Sequence, residues 1–124
     1  MAYNGNLQSV PGLTASADLS AHQFKFMTIG ATGAALNTTS GGAVDGVLQD
    51  KPGALGEACE VAYAGVSKVE AGAAVSAGAL VMSDAAGLAI AHTTTNHAVG
   101  RAITAAGASG ELISVLLISY GEVT

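Results

Sequence analysis

The chain lacks tryptophan and carries one cysteine, two prolines, three tyrosines and two phenylalanines in 124 residues. One cysteine, Cys59, closes no disulfide within the chain, so any core must hold without covalent staples. A reactive thiolate needs a base or a cation beside it, and the sequence around Cys59 offers neither; a small buried hydrophobe is the expected role. Positive charge is as scarce: four Lys and Arg stand against nine Asp and Glu, for a net charge of −5. Four scattered cations cannot form the basic stripe that nucleic acid requires, so direct nucleic-acid binding is not expected. The strongest apolar run, residues 112–118, falls far short of the roughly 20 residues of a membrane span, so no membrane partner is expected either. The first Lys or Arg is Lys25 and no basic segment precedes an apolar one, so a secretory signal is not expected; the composition suits a reducing cytosol.

The chemical motifs are missing too. His92 and His97 are five residues apart, which separates them on a strand and on a helix alike. With His22 and Cys59 they could hold zinc only if the fold gathered them, and ordinary polar or loop histidines are expected instead. No Walker loop, dinucleotide fingerprint or Gly-x-Ser-x-Gly elbow is present. Glu57 and Glu60 read as a solvated rim. No catalytic residue, no metal and no cofactor are assigned, and no enzymatic activity is expected.

What is present is small side chains: 26 Ala and 17 Gly fill about a third of the chain, with 27 Val, Ile and Leu beside them. A thin, tightly packed core is expected. Alanine favours helix, but glycines recur too often to leave a helix room, and the longest late window holds Thr93, Thr94 and Thr95 in a row. The pattern predicts strands over 24–29, 43–49, 60–70, 80–83, 88–91, 98–104 and 112–119. Phe24 and Phe26 would share one face of the first, with Lys25, Met27 and Ile29 on the other; Val61, Tyr63 and Val69 would share a face of the third. Gly65 predicts a bulge or bend, and Asp84-Ala85-Ala86-Gly87 a hairpin connection. A short helix over 71–79 is the one rival. The last strand is apolar on both faces and should be buried on both or lie in a subunit interface, so that Leu116→Asp would prevent folding or assembly. The fold class is mainly β: a small barrel or sandwich of short strands with an extended N-terminal arm.

Residues 1–22 have no clean period and contain the turn signal Pro11-Gly12. They read as the arm, and residues 23–124 as the β-rich domain. Tyr3, Leu7, Val10, Leu13 and Leu19 are its apolar points, the candidate binding residues, and the arm is expected to be mobile until it docks.

The stretch from Val69 to Leu80 shares the β-turn grammar of biotinyl and lipoyl carrier domains, but the nearby Lys68 sits between Ser67 and Val69 within a predicted strand and lacks the flanks such carriers need. Taken further, a longer series of landmarks appears: Gly46-Val47 with Lys51 after it; Ala64-Gly65-Val66, Val69, Ala71-Gly72, Val75, Ala77-Gly78 and Leu80-Val81; then Asp84 to Gly87, Val99-Gly100-Arg101-Ala102, and Gly110-Glu111 leading to Ile113 and Val115. Over roughly residues 24–118 this resembles the capsid cement, or head decoration, proteins of tailed bacteriophages. Ala79 departs from the acidic residue that relatives often have there. The resemblance implies a structural protein, made in the host cytoplasm, that binds the outer surface of the phage head through the major capsid protein. It implies a homotrimer at threefold or quasi-threefold positions that braces the shell against packaged DNA, with three arms acting together. The alternatives are another non-enzymatic virion component, such as a tail or fibre module, and a carrier domain.

Overall fold

The computed structural model describes residues 2–123, with side chains placed through Ile118. Among these residues there are nine strands and no helix: β1 (Gly5–Ser9), β2 (Phe26–Gly30), β3 (Gly33–Leu36), β4 (Gly46–Leu48), β5 (Val61–Glu70), β6 (Leu80–Ser83), β7 (Ala89–Ala91), β8 (Asn96–Ala102) and β9 (Leu112–Val123). They form one antiparallel sheet in the order β3-β2-β4-β5-β9-β8-β6-β7, with β1 attached to β5 off that path. Of the small barrel or sandwich expected from the sequence, the mainly-β fold found is the barrel-like one.

The curl of the sheet comes from its two long strands. β5 pairs with β4 through Val61 and Ala62 and with β9 through residues 65–70. β9 pairs with β5 only as far as Leu117 and with β8 as far as Val123. Each long strand thus serves different neighbours along its length, and the normal strand twist bends the sheet into a half-barrel. Backbone hydrogen bonds close it: Phe26 N–H donates to Gly87 O at 2.8 Å, Gly41 N–H to Ser83 O at 2.8 Å, and Gly72 N–H to Ala89 O at 2.8 Å. The β6–β7 hairpin, with its turn at Asp84–Gly87 as expected, is thereby folded back onto β2 and the end of β5.

Two separate cores result. The larger lies inside the curl and includes Phe26, Val47, Ala62, Val69, Val81, Val99, Ile113, Val115 and Leu117. The smaller lies on the opposite side of β2 and β4 and consists of Ala15, Leu19, Met27, Ala34, Leu48, Cys59 and Val61. Adjacent residues divide between them: Phe26 and Met27, Val47 and Leu48, Ala62 and Val61. Successive side chains on a strand point to opposite faces, so these strands must be apolar throughout to be covered on both. This is why Phe26 and Met27 are both fully buried, where alternation alone would leave one outside. Phe24 falls before β2, at φ 64°.

The second core is roofed by the N-terminal segment. Thr14 bridges to Ala58 and Ala15 to Ala34, Ala15 is fully buried, and Leu19 is 3% exposed. Gly33, at φ 116°, lets the roof approach: a Cβ there would collide with the Thr14 carbonyl. β3, which lies outside the strands that the sequence predicts, exists because Ala34 and Leu36 pack under this roof and Ala34 N–H donates to Thr14 O at 2.9 Å. The rival helix over 71–79 is absent; Val75 bridges instead to Ala106 and is part of the larger core.

Candidate functional site

The five candidate residues of the N-terminal segment occupy different environments. Tyr3 is 47% exposed. Its backbone is fixed at both ends to one buried hydroxyl: Tyr3 N–H donates to Ser114 Oγ at 2.6 Å, and Ser114 Oγ–H donates to Tyr3 O at 3.0 Å. Next to it, Lys68 N–H donates to Asn4 Oδ1 at 2.7 Å. Leu7 packs on the larger core. Val10 is half-buried and donates its N–H to Val61 O at 3.1 Å. Leu13 packs on the smaller core and Leu19 is part of it. Residues 2–22 therefore follow the body as a strap, and Tyr3 is the member of the five whose side chain faces solvent.

The strap crosses β5 where the sequence predicts an irregularity. Gly65 has φ 100°, and a Cβ on it would strike the backbone of Asn6 and Gly5. The β1–β5 register shifts twice nearby. The bend also separates residues that alternation would group: Val61 is buried in the smaller core and Val69 in the larger, while Tyr63 is 52% exposed.

β9 has an inner and an outer face. Ile113, Val115 and Leu117 point into the larger core. Leu112 and Ile118 are 43% and 40% exposed, Leu116 is half-buried, and Ser114 between them is covered by the strap. The sequence predicts this strand to be apolar on both faces, with Leu116 covered by the core or by a subunit interface, and Leu116 lies half-buried on the outer face. The core residue is Val115, and the outer face retains accessible apolar surface.

Where β9 leaves β5, a small cleft of about 70 Å³ opens, lined in part by Val44, Asp45, Tyr63, His97, Leu117 and Ile118. Pockets for small molecules run to roughly 300–1,000 Å³, so this one accommodates a single side chain. Asp45 is committed at its rim, accepting from Ile29 N–H at 2.7 Å.

The titratable groups are dispersed. Among the described residues no group of three or more His, Cys, Asp or Glu is placed to hold a metal. His92 Nε2 lies 2.8 Å from Asn96 O. Burial pushes the Cys59 thiol pKa up, helped by the nearby Asp50 charge, which keeps the sulfur protonated and unreactive. His22 has its pKa lowered, first by burial and then by Lys25, with Asp18 opposing, and its Nδ1 is buried with no hydrogen-bond partner. Asp18 has its pKa lowered by hydrogen bonds from the Ser20 hydroxyl and backbone.

A half-barrel of short strands, strapped at its N-terminus and offering apolar surface and one small cleft, defines a β module suited to working through its surface. The chain belongs to the phage cement protein family, whose model matches residues 12–117; it is a structural protein of the phage virion, associated with a capsid. The match takes in the roof, Leu13 to Leu19, as well as the sheet. The fold is similar to the head fiber gp8.5 N base of bacteriophage phi29, with 18% sequence identity and a TM-score of 0.66 over 95% of this chain and 98% of that one. At that identity the likeness is one of fold. No curated protein matches the chain.

Proposed function

We propose that this protein binds the outer surface of a phage head through the major capsid protein and braces the shell against the pressure of packaged DNA, with a structural and not a catalytic role. The observation that carries this reading is the family match over residues 12–117. The surface supports it: Tyr3, Leu112 and Ile118 are large apolar residues left exposed around β9, a distribution more typical of a binding face than of a free monomer. In this reading the N-terminal segment contributes Tyr3 to the capsid contact, while Leu7, Val10, Leu13 and Leu19 hold the strap in position. A homotrimer at threefold positions would present three such surfaces together, so that modest single contacts sum through effective concentration. No nucleic acid, membrane or cofactor enters the mechanism.

The test is to add purified protein to DNA-filled heads lacking it and to follow DNA release on heating, with sedimentation to give the assembly state of the free protein. Decorated heads should retain DNA to a higher temperature than bare heads, and the free protein should sediment as a trimer. Heads that gain no resistance would refute the bracing role. A second reading, the base of a head fibre, draws on the fold likeness to the phi29 fiber base; a projecting fibre in images of decorated heads would favour it.

A further inference from the structure

The chain holds four asparagines, and one of them, Asn4, is followed by glycine. The backbone nitrogen after an asparagine can attack the side-chain carbon and close a succinimide ring. A side chain on that next residue hinders the approach, and glycine has none. Asn6 precedes Leu7, Asn37 precedes Thr38 and is 2% exposed, and Asn96 precedes His97. Asn4 is exposed and stands just before β1, and a Cβ placed on Gly5 would meet nothing within 4 Å. The reacting pair therefore sits at the surface with room around it.

A donor is already aimed at the reacting group. Lys68 N–H donates to Asn4 Oδ1 at 2.7 Å, whereas Asn4 Nδ2 reaches Gln49 Oε1 only at 3.5 Å. The short bond draws electron density from Cγ and steadies the negative charge that gathers on Oδ1 during attack. The long one holds the departing nitrogen weakly. Asp45-Gly46, the Asp-Gly pair of the chain, is the opposite case. Asp45 N–H donates to Met27 O at 2.9 Å and Asp45 Oδ2 accepts from Ile29 N–H at 2.7 Å. Gly46 is buried, and a Cβ on it would strike Ala62. That pair has no freedom to close a ring.

We propose that Asn4 is a site of spontaneous deamidation that loosens the N-terminal end of the strap. The Gly5 nitrogen gives its proton to water and bonds to Asn4 Cγ. The Cγ–Nδ2 bond breaks, and the nitrogen takes a proton from water and leaves as ammonia. Water then opens the ring. Addition at Cγ gives aspartate; addition at the main-chain carbonyl carbon gives isoaspartate, whose main chain is one carbon longer. Aspartate keeps a side-chain acceptor for Lys68 N–H. Isoaspartate inserts its extra carbon between two fixed points: Tyr3, bonded to Ser114 Oγ through both N–H and C=O, and β1, paired to β5 from Gly5 onward. The lengthened link strains both, and the Tyr3 clasp, which hangs on one hydroxyl, yields first. Tyr3 is the strap residue assigned above to the capsid contact, so isoaspartate at position 4 should also weaken decoration. That last consequence alone rests on the capsid-binding reading.

The test ages the parent and Gly5→Val in mildly alkaline buffer and follows each asparagine by peptide mass mapping, with isoaspartyl methyltransferase labelling to mark the isoaspartate. Valine fits the open site and suits a strand while leaving Asn4 in place; thermal melts confirm that both proteins are folded. Asn4 of the parent should convert at least about tenfold faster than Asn6, Asn37 or Asn96, a barrier difference of about 1.4 kcal/mol. Conversion should rise with pH, give isoaspartate as well as aspartate, leave Asp45 intact and be slowed in Gly5→Val. Conversion of another asparagine ahead of Asn4, or equal rates in parent and Gly5→Val, would overturn the site. The isoaspartyl form, separated by ion exchange through its added charge, is then compared with fresh protein by hydrogen exchange. The Tyr3 and Lys68 amides should exchange about fivefold faster, the scale of one lost hydrogen bond, with the shared stretch of β8 and β9 unchanged. Equal protection would overturn the loosening. Co-sedimentation with undecorated heads should show weaker binding by the isoaspartyl form than by fresh protein, and equal binding would remove the link to decoration. Failure of fresh protein to bind heads would defeat the capsid-binding reading, a result distinct from all of these.

Discussion

The two cores are built from the same strands but by different means. The larger forms when the sheet curls on itself, so its members come from β2, β4 to β9 and the connections holding Ala71, Val75 and Ala106, and most are backed by ladder hydrogen bonds. The smaller forms on the other face of β2 and β4, where the roof is a strap with isolated bridges at Thr14 and Ala15 and a single large anchor, Leu19. A sheet can thus be covered on one side by its own curvature and on the other by a segment with almost no secondary structure. The strap is the part expected to open first, because local stability follows buried contact and backbone bonding.

The most severe way to break this comparison is a charge in the larger core. Val115 is fully buried, and Val115→Asp should leave no folded protein, since an unpaired buried charge costs more than about 4 kcal/mol. Leu116→Asp, one residue away on the outer face, should fold; circular dichroism of the pair distinguishes the faces. Next comes Leu19→Ala. It removes the roof's anchor and should cost about 2–4 kcal/mol, with a faster reaction of Cys59 toward a thiol reagent under native conditions. Unchanged Cys59 labelling would mean that the strap does not guard the second core.

These two tests also mark how far the sequence could be read. Strands β5 to β9 are legible because short apolar runs stand between Gly-rich turns, and Asp84–Gly87 marks its hairpin directly. β1 and β3 were not. Gly5-Asn6-Leu7-Gln8-Ser9 and Gly33-Ala34-Ala35-Leu36 have weak strand propensity and owe their form to distant partners: Asn6 lies against Gly65, and Ala34 is bonded to Thr14. The irregular spacing of Leu7, Val10, Leu13 and Leu19 suggested a free arm because the strap contacts two different cores and so follows no single period. The cleft had no sequence signal, since it arises where β9 parts from β5.

A gentler perturbation tests the crossing point. Gly65→Ala must accept φ near 100° and displace Asn6, costing about 1–3 kcal/mol; hydrogen exchange should show β1 loosened while β8 and β9 stay protected. Uniform loosening would mean that the strap and sheet open as one unit.

The smallest effect is on pH dependence. The folded-state pKa of His22 is lowered from 6.5, so the unfolded chain binds more protons and stability falls as pH drops through about 6.5. The side chain is only half-buried, so the slope should be shallow. His22→Gln should lose less melting temperature than the parent between about pH 7 and pH 5. Identical slopes would show that His22 does not couple the strap to pH.

The central claim, that this strapped half-barrel is a capsid-bound brace, is tested most directly by imaging DNA-filled heads by cryo-electron microscopy after incubation with the purified protein. The account predicts density shaped as the half-barrel on the outer shell. Bare shells, or density confined to the tail, would contradict it.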